Sequence, residues 1–436
     1  MYSAQIEKFL KAKKISIGDR VKVGQYEGIL MPRIELGDTS SLVIKLDNGY
    51  NIGVKFDKSM KKVKTEWRVE KPQAKTGVTK IVFDKKLPTI SIIGTGGTIA
   101  SKVDYKTGGT SASFLAEDIA KQVPDLKEIA NIRAWQIMEM ASEDMVPDTW
   151  VEIAKAVAEE INQGSKGIIV THGTDTLHYT AAALSFLLKD LPVPVAVVGS
   201  QRSSDRGSSD TVQNVSCAAN FVANSDVAEV CTVLHGSVND DFCFAIRGTK
   251  SRKMHTSRRD AFKAVNDAPI AKIWWQDKRI EILNSYKKRN DKKVLVDGKI
   301  ETKVALVKFF VGMDPDVLDF YKKYKGIVIE GTGLGHVATR SKLSLIPKIG
   351  KMIKAGIPVV MTSQTIYGRT HPSVYRNLRT LSELGVIFVE DMLPETAYIK
   401  LMHILPKARN VEDVKKLMQT NMVGEITERT EVVSSE

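Results

Sequence analysis

The chain has 436 residues, of which 43% are hydrophobic and 26% are charged. This balance excludes wholesale disorder, and the length is sufficient for about two to four domains with buried cores. The three cysteines form no CxxC pair and no apolar run approaches the roughly 18 residues of a membrane helix, so we expect neither a disulfide scaffold nor a membrane span, and a cytoplasmic protein.

Residues 1–86 are predicted to form a small basic β-barrel domain that follows a short helix. Strands are predicted for four short apolar runs, at residues 21–23, 26–31, 41–46 and 50–56. The last two runs flank an Asp-Asn-Gly turn at residues 47–49, and an Asn-Gly pair favours a hairpin because both residues tolerate positive φ. Several short strands with tight turns are typical of a small barrel. Residues 57–87 are interpreted as a lysine-rich linker or an edge strand.

Most of the net charge of +13 lies in this first domain. Residues 1–86 carry 19 Lys and Arg against 10 Asp and Glu, a balance of +9, and five lysines fall between Lys55 and Lys64. Because a basic surface attracts polyanions, the domain is interpreted either as a contact for an acidic partner such as RNA or as an ordinary solvated surface. If it contacts RNA, reversing the charges of Lys58, Lys61 and Lys62 should weaken an RNA-dependent activity. Docking of a protein partner is a competing explanation.

From residue 87 onward, short apolar strands alternate with amphipathic helices. Strands are predicted at residues 89–94, 167–171, 193–199 and 228–234, and helices at residues 114–123, 176–188 and 210–223. This alternation predicts an α/β domain at residues 87–285, with a parallel sheet that is covered on both faces. In such sheets the chemistry lies at the carboxyl ends of the strands.

A polar stretch at residues 284–303 precedes a second α/β domain, which is predicted to span residues 286–436. Its predicted elements are residues 304–310, 315–323, 326–330, 343–354, 358–362, 372–383 and 411–422.

Two segments rich in glycine and threonine follow predicted strands. The segment GTGGTIA, residues 94–100, presents hydroxyls at a strand end, but it is equally typical of a strand-to-loop turn and lacks the lysine of a phosphate-binding loop. The segment THGTDT, residues 171–176, supplies Thr174 and Asp175, although Asp175 is also suited to cap the helix that follows. His172 in this segment is interpreted as a packed histidine.

A third segment, RGTKSRKMH at residues 247–255, is strongly basic and contains Lys253. A basic loop is usually just solvated, but neighbouring positive charges favour a neutral lysine amine, and such an amine is a base for a hydroxyl nucleophile. The expected cationic neighbours are Arg247, Lys250, Arg252, Arg258 and Arg259. Together the three segments predict a Thr–Lys–Asp system at one sheet edge. That system is suited to covalent attack on an amide, release of ammonia and hydrolysis.

The paired segments TGGTIA and HGTDT resemble the two signatures of L-asparaginases and their glutaminase relatives. Further segments continue the resemblance: MASEDM at 140–145, GSQ at 199–201, GMDP at 312–315, EGTG at 330–333 and EDM at 390–392. The resemblance covers about residues 88–405. It implies an asparaginase-like fold of two α/β domains with parallel, Rossmann-like sheets, preceded by the small N-terminal β-barrel.

The resemblance also implies roles for individual residues. Thr98 resembles the primary nucleophile of the family. Thr174, Asp175 and Lys253 resemble its second threonine and the proton-transfer partners of that threonine. Tyr105, within the Gly/Thr-rich residues 102–113, resembles a tyrosine on a mobile lid that excludes water.

Two further positions resemble substrate-binding residues of the family. Ser142 resembles the residue that holds the α-carboxylate of the substrate, and the Asp175 position resembles the one that holds its α-amino group. Glu143 stands where many asparaginases have glutamine, and a carboxylate there can pair with the ammonium of a free amino acid. The resemblance implies no metal and no cofactor in this chain.

The basic extension and QRSSDRGSSD, residues 201–210, resemble the D subunits of archaeal glutamyl-tRNA(Gln) amidotransferases, and this likeness extends over the whole chain. It implies a glutaminase that passes ammonia to a partner, the E subunit of the amidotransferase. That partner binds Glu-tRNA(Gln) and uses ATP and Mg²⁺ to form Gln-tRNA(Gln). The resemblance also implies a homodimer within a heterotetramer of two D and two E subunits, with tRNA(Gln) bound mainly through the partner.

Two alternatives stay open at this point. One is a free-standing cytoplasmic L-asparaginase with an accessory domain. The other is a non-catalytic scaffold that binds RNA or a protein partner on the same fold.

Overall fold

The protein is described by a computed structural model that gives residues 2–31, 40–46, 51–63, 78–96, 101–103, 110–112, 123, 125–202 and 209–429. Three units follow one another along the chain: a small antiparallel sheet with one helix, a large mixed sheet, and a four-stranded parallel sheet. This order confirms the predicted fold class of a small β domain before two α/β domains. None of the helices in these ranges is both long and apolar enough to cross a bilayer.

The first unit is a five-stranded antiparallel sheet with helix α1, Ala4–Ala12, packed against it. Its strands are β1 Arg20–Val23, β2 Tyr26–Leu30, β3 Ser41–Lys45, β4 Asn51–Lys55 and β5 Lys61–Lys62, in the order β4-β3-β2-β1-β5. Alternation along β1 buries Val21 and Val23 in one cluster with the apolar face of the helix and leaves Lys22 exposed. The predicted turn at residues 47–49 lies outside the described residues.

The second unit is built on a nine-stranded sheet. The strands of this unit are β6 Thr79–Ile81, β7 Thr89–Gly94, β8 Ser101–Val103, β9 Thr110–Ala112, β10 Asn131–Gln136, β11 Ile168–Thr171, β12 Leu188–Lys189, β13 Val195–Val198, β14 Val230–His235, β15 Phe242–Arg247, β16 Ser251–Lys253, β17 Phe262–Ala264, β18 Ala271–Trp274, β19 Ile280–Ile282 and β20 Leu295–Val296. The large sheet has the order β19-β18-β15-β14-β13-β11-β7-β10-β6.

The five central strands of this sheet, β10, β7, β11, β13 and β14, run parallel. Four of them confirm the predicted parallel sheet, and β10 is a strand that is not predicted from the sequence. Strand β6 adds an antiparallel edge on one side, so part of residues 57–87 is an edge strand. Strands β15, β18 and β19 add three more antiparallel strands on the other side, which the alternation of strands and helices does not predict.

Helices cover both faces of the large sheet: α2 Leu126–Ile129, α3 Pro147–Asn162, α4 Leu177–Leu187 and α5 Thr211–Asn224. Successive strand residues point to opposite faces, so Ile169 packs in one cluster with Phe221 of α5, while Ile168 and Val170 pack with α3 and α4. Helices α4 and α5 confirm two of the predicted helices. The helix predicted at residues 114–123 lies outside the described residues, except for Val123.

The third unit contains strands β21 Val304–Lys308, β22 Gly326–Gly331, β23 Val359–Ser363 and β24 Ile387–Phe388, which pair in this order as a parallel sheet. A 3₁₀ helix, Pro315–Lys323, and helices α6 Ile346–Lys354, α7 Arg376–Glu383, α8 Pro394–Ile404 and α9 Val411–Met418 surround it. Helix α8 packs against α4, and Leu401, Val328 and Leu184 belong to one continuous core. The two α/β units therefore share a hydrophobic core.

Three histidines, His172, His178 and His403, are buried in or beside this core. The Nδ1–H of His172 donates to the carbonyl of Gly173, and its Nε2 accepts from the hydroxyl of Thr180, each at 2.7 Å. Burial disfavours the charged imidazolium, so the pKa of each of the three histidines is lowered from 6.5 to about 4. Between about pH 4 and pH 6.5 the folded chain therefore binds fewer protons than the unfolded chain.

Replacing His172 by asparagine should make the free energy of unfolding less sensitive to acidification. Above about pH 6.5 His172 is neutral in both the folded and the unfolded chain, so it does not change the free energy of unfolding. As the pH falls toward 4, His172 binds a proton in the unfolded chain but not in the folded chain, and this destabilises the folded state. We expect the difference in unfolding free energy between wild type and His172→Asn to shift by about 2 kcal/mol against the wild type from pH 7 to pH 5. Urea unfolding at both pH values measures it, and a constant difference would contradict the effect.

Candidate active site at the carboxyl ends of the central strands

The chain changes direction across the large sheet at β7. From β7 it passes to β10 on one side and then returns to β11 on the other side. At such a switch point the loops that leave neighbouring strands diverge and open a crevice at the carboxyl ends, which is where open α/β sheets bind ligands. Gly94 is the register partner of both Gln136 and Thr171, so the three loops that follow start at one edge of the sheet.

Glycines allow these loops to pack closely against one another. Gly96 has a φ of +107°, and a Cβ atom there would lie 2.6 Å from the backbone nitrogen and oxygen of Met140. A Cβ atom on Gly173 would lie 2.7 Å from the Cβ atom of Ser142. The backbone N–H and the hydroxyl of Thr95 both donate to the carbonyl of Thr171, at 3.2 and 2.7 Å. The first motif is thus bonded directly to the second.

Two of the predicted site residues lie outside the described residues. These are Thr98, two positions after Gly96, and Tyr105. Their predicted roles stay predictions.

Lys253, Thr174 and Asp175 are brought together although they lie almost 80 residues apart in the chain. The ammonium of Lys253, at the end of β16, donates to the hydroxyl of Thr174 at 2.9 Å and to the carboxylate of Asp175 at 2.7 Å. Thr174 is 6% exposed, whereas the side chain of Asp175 is 70% exposed. A lysine amine held between a hydroxyl and a carboxylate can move a proton to and from the hydroxyl.

The alternative role of Asp175 as a helix cap is not observed. Helix α4 begins at Leu177, and Thr176 at its N-cap position makes no side-chain capping bond. The carboxylate of Asp175 bonds to Lys253 instead.

The expected excess of positive charge around Lys253 is not present, because each of the five cationic neighbours is paired with at least one carboxylate. The pairs are Arg247 with Glu229 and Asp267, Lys250 with Asp391, Arg252 with Glu395, Arg258 with Asp260, and Arg259 with Asp240. The positive charge that the sequence places around Lys253 is thus compensated locally. The position of Lys253, rather than the charge of its loop, is what makes it a candidate for proton transfer.

Ser142 and Glu143 lie beside the Thr174 loop in a short 3₁₀ helix, Ser142–Asp144. Ser142 is buried against Gly173, and its carbonyl accepts from the hydroxyl of Thr176 at 2.6 Å. The hydroxyl of Ser142 lies 3.4 Å from the carboxylate of the exposed Glu143. The crevice therefore combines a hydroxyl, which can donate to a carboxylate, with carboxylates, which can accept from an ammonium group. These groups are suited to the two charged ends of an amino acid.

Three supports of the site were not predicted from the sequence. The buried carboxylate of Asp210 accepts from the backbone N–H groups of Gln201 and Arg202 and so holds the loop after β13. The other two, Asp391 and Glu395, come from the third unit and pair with the strand that carries Lys253. Within the described ranges no group of three or more His, Cys, Asp or Glu could hold a metal ion.

Family models match most of the chain. The model for the N-terminal domain of asparaginase matches residues 89–288, and that for the glutaminase/asparaginase C-terminal domain matches residues 303–418. The model for the GatD N-terminal domain matches residues 15–64.

Curated relatives match the chain over nearly its whole length. It is 50% identical to the D subunit of glutamyl-tRNA(Gln) amidotransferase from Pyrococcus furiosus, over 98% of each chain. It is 45% identical to the protein of the same name from Methanopyrus kandleri, over 98% of this chain and 94% of that one.

Solved structures of asparaginases match about four fifths of the chain. The thermostable L-asparaginase from Thermococcus kodakarensis has a TM-score of 0.71 and 31% identity, over 78% of this chain and 100% of that chain. L-asparaginase I from Vibrio cholerae has a TM-score of 0.67 and 26% identity, over 78% of this chain and 99% of that chain.

Replacing Lys253 by methionine should remove most of any amide-hydrolysing activity of this site without unfolding the chain. Methionine keeps the apolar stem but cannot transfer a proton, so we expect kcat to fall by about 10²- to 10⁴-fold. Ammonia release from glutamine and from asparagine measures the effect. The matched control is Lys263→Met, because Lys263 lies on the paired strand β17 and its ammonium bonds to Asp260 instead. Equal activity of the two variants would exclude a role for Lys253.

Proposed function

The chain belongs to the asparaginase family, in the branch formed by the D subunits of glutamyl-tRNA(Gln) amidotransferases, and we propose that it hydrolyses glutamine to supply ammonia for that reaction. The observation that carries this proposal is the contact of the Lys253 ammonium with both Thr174 and Asp175. Hydrolysis of an amide through a hydroxyl nucleophile needs groups that move protons at the reacting centre, and this contact supplies such a group at the crevice.

In the proposed reaction the hydroxyl oxygen of Thr98 attacks the side-chain amide carbon of glutamine. The proton of the hydroxyl passes to the leaving nitrogen, the C–N bond breaks, and ammonia leaves while the glutamyl group stays on Thr98 as an ester. Water then attacks this ester, and Thr174, Lys253 and Asp175 move its proton. This second step restores the hydroxyl of Thr98 and releases glutamate. The 2.9 Å hydrogen bond between Lys253 and Thr174 supports the proton-transfer role.

We assign the charged ends of glutamine to the polar groups of the crevice. The α-carboxylate is proposed to bind the hydroxyl of Ser142, and the α-ammonium is proposed to bind the exposed carboxylates of Asp175 and Glu143. Tyr105 is proposed to lie on a lid that closes over the substrate and excludes water.

The second half of the reaction is assigned to a partner chain, the E subunit of the amidotransferase. In this proposal the partner binds Glu-tRNA(Gln), activates its glutamyl carboxylate with ATP and Mg²⁺, and receives the ammonia. Two D and two E subunits are proposed to form the complex, with the D subunits as a homodimer. The family models that match residues 15–64, 89–288 and 303–418 support this division, because all three describe domains of asparaginases or of GatD.

A free-standing L-asparaginase is the second candidate, since the matching solved structures carry that name. The asparaginase from Thermococcus kodakarensis is covered completely, yet it accounts for only 78% of this chain. The unmatched part corresponds in size to the basic N-terminal unit, for which a free amino-acid hydrolase has no evident need. This difference favours the amidotransferase assignment.

A glutaminase assay of the chain alone, with the E partner, and with the E partner plus Glu-tRNA(Gln) tests the proposal. We expect little activity alone and stimulation of at least about fivefold by the full complex, the lower end of usual coupling between sites. Thr98→Ala should lower kcat in the full complex by at least about 10³-fold, because the nucleophile is lost.

Replacing Glu-tRNA(Gln) by Glu-tRNA(Glu) is the control, and it should not stimulate the reaction. Strong asparaginase activity of the chain alone would favour the second candidate. Ammonia release that survives Thr98→Ala would overturn the assignment of the nucleophile.

The lysine face, defined as Lys22, Lys58 and Lys61, is the part of the first unit best suited to contact RNA. Lys22 on β1 and Lys61 on β5 are register partners, and like charges in that position destabilise a sheet. All three side chains are exposed and have no carboxylate partner in the described ranges. Lys62, by contrast, bonds to Asp19 at 2.6 Å. The sequence-based set of Lys58, Lys61 and Lys62 therefore narrows to Lys58 and Lys61.

Reversing both charges, in Lys58→Glu/Lys61→Glu, should raise the KM of the complex for Glu-tRNA(Gln) at low salt. Because phosphate contacts are screened by ions, the effect should shrink at high salt. The matched control is Lys415→Glu/Lys416→Glu, which reverses two exposed lysines on α9. An unchanged KM would leave the lysine face as solvated surface, and a loss of affinity for the E partner instead would assign it to partner docking.

A further inference from the structure

The strand that carries Lys253 is held from the third unit at three points. The ammonium of Lys250 bonds to the carboxylate of Asp391 at 2.7 Å, and both side chains are fully buried. The guanidinium of Arg252 donates to Glu395 at 2.9 Å, and the hydroxyl of Thr396 donates to the carbonyl of Thr249 at 3.0 Å. We call these three contacts the interdomain clamp. All of its partners from the third unit lie within residues 391–396, at the start of α8.

Asp391 holds the hairpin β16–β17 at both of its ends. Its side chain bonds to Lys250, which directly precedes β16, while its backbone carbonyl accepts from Asn266 at 3.0 Å, just after β17. The side chain of Asp391 also accepts from the backbone N–H of Thr427 at 3.1 Å, so the C-terminal segment stabilises the same carboxylate. The base of the hairpin is thus attached to the third unit as well as to the large sheet, to which Ser251 is bonded through Thr232 of β14.

Strand alternation links the clamp to the site. Lys250 and Arg252 point to the third unit, whereas Ser251 and Lys253 point the other way, where Ser251 bonds to Thr232 and Lys253 bonds to Thr174. In an extended strand a residue cannot shift without its neighbours, and a slip by one residue exchanges the two faces. The clamp therefore holds one face of the segment whose other face carries Lys253.

We propose that Lys250 and Asp391 are positioning residues, which allow the third unit to set the distance between the amine of Lys253 and Thr174. This inference rests on the proposed function, in which Lys253 moves a proton. Neither residue contacts the substrate in this proposal. They act through the strand, so their loss should lower kcat more than it raises the KM for glutamine.

The test replaces the whole ion pair, because removing one partner would leave an uncompensated buried charge and could unfold the chain. In Lys250→Met/Asp391→Leu, apolar side chains of similar volume replace both charges, a change that is often tolerated. We expect the variant to fold and kcat to fall by about 10²-fold, the usual effect of a misplacement of about 1 Å. Lys250→Arg, which retains the ion pair, should recover most of this loss.

The matched control is Lys400→Met/Glu425→Leu. Lys400 and Glu425 form the second fully buried lysine–carboxylate pair of the described ranges, with a distance of 2.6 Å, and their hydrogen bonds to the rest of the chain go to residues 418–423 instead of residues 249–253. This control should retain kcat. Equal losses in the two double variants, or no loss in Lys250→Met/Asp391→Leu, would overturn the inference.

Two further measurements keep the test decisive. If Lys250→Met/Asp391→Leu does not fold, Arg252→Met examines the more exposed contact of the clamp, and an unchanged kcat there would contradict the inference. If the wild-type complex releases no ammonia from glutamine, the proposed function fails by itself. A crystal structure of the clamp variant then decides the positioning role: Lys253 should move away from its 2.9 Å contact with Thr174, and an unmoved Lys253 would refute it.

Discussion

The change of direction at β7 is the constraint on which the site depends. Gly94 pairs in register with Gln136 and with Thr171, so three loops leave the sheet at one point. These loops come so close that a Cβ atom at Gly96 would collide with the backbone of Met140, and one at Gly173 with the side chain of Ser142. Gly96 and Gly173 are therefore explained by the close approach of the loops, and Ser142, Thr174 and Asp175 lie where this approach places them.

Local periodicity accounts for the parts of the fold that the sequence predicts well. The strand Thr89–Gly94 and the 3₁₀ helix Pro315–Lys323 have the predicted bounds, because each is decided by which of its own residues are buried. The antiparallel strands β15, β18 and β19 were not predicted. Burial along Phe242–Arg247 alternates only imperfectly, so the strand pattern is weak. In addition, the sequence of a strand does not show whether it runs parallel or antiparallel to its neighbours.

Ion pairs between residues that are distant in the chain could not be predicted from the sequence either. Thr174, Asp175 and Lys253 could be singled out because the chemistry of their motifs suggests a role for each. Asp391 also lies in a motif, EDM at 390–392, but nothing there indicates that its partner is Lys250, about 140 residues away, and the same holds for Glu395 and Arg252. The basic loop around Lys253 thus looks unbalanced in the sequence and is balanced in the fold. In the first unit the sequence was a better guide, since both the charge count and the strand register bring lysines together there.

The attachment of Lys253 has a consequence for control. A proton-transfer group on β7 or β11 would be held by the central sheet and would stay in place whatever the third unit did. Lys253 lies instead on a hairpin that is bonded both to Asp391 of the third unit and, through Ser251, to Thr232 of the large sheet, so its position depends on both units. In the positioning role proposed for Lys250 and Asp391, the contact between the two units is what couples the place of Lys253 to the third unit, while the loops that carry Ser142 and Thr174 stay on the large sheet.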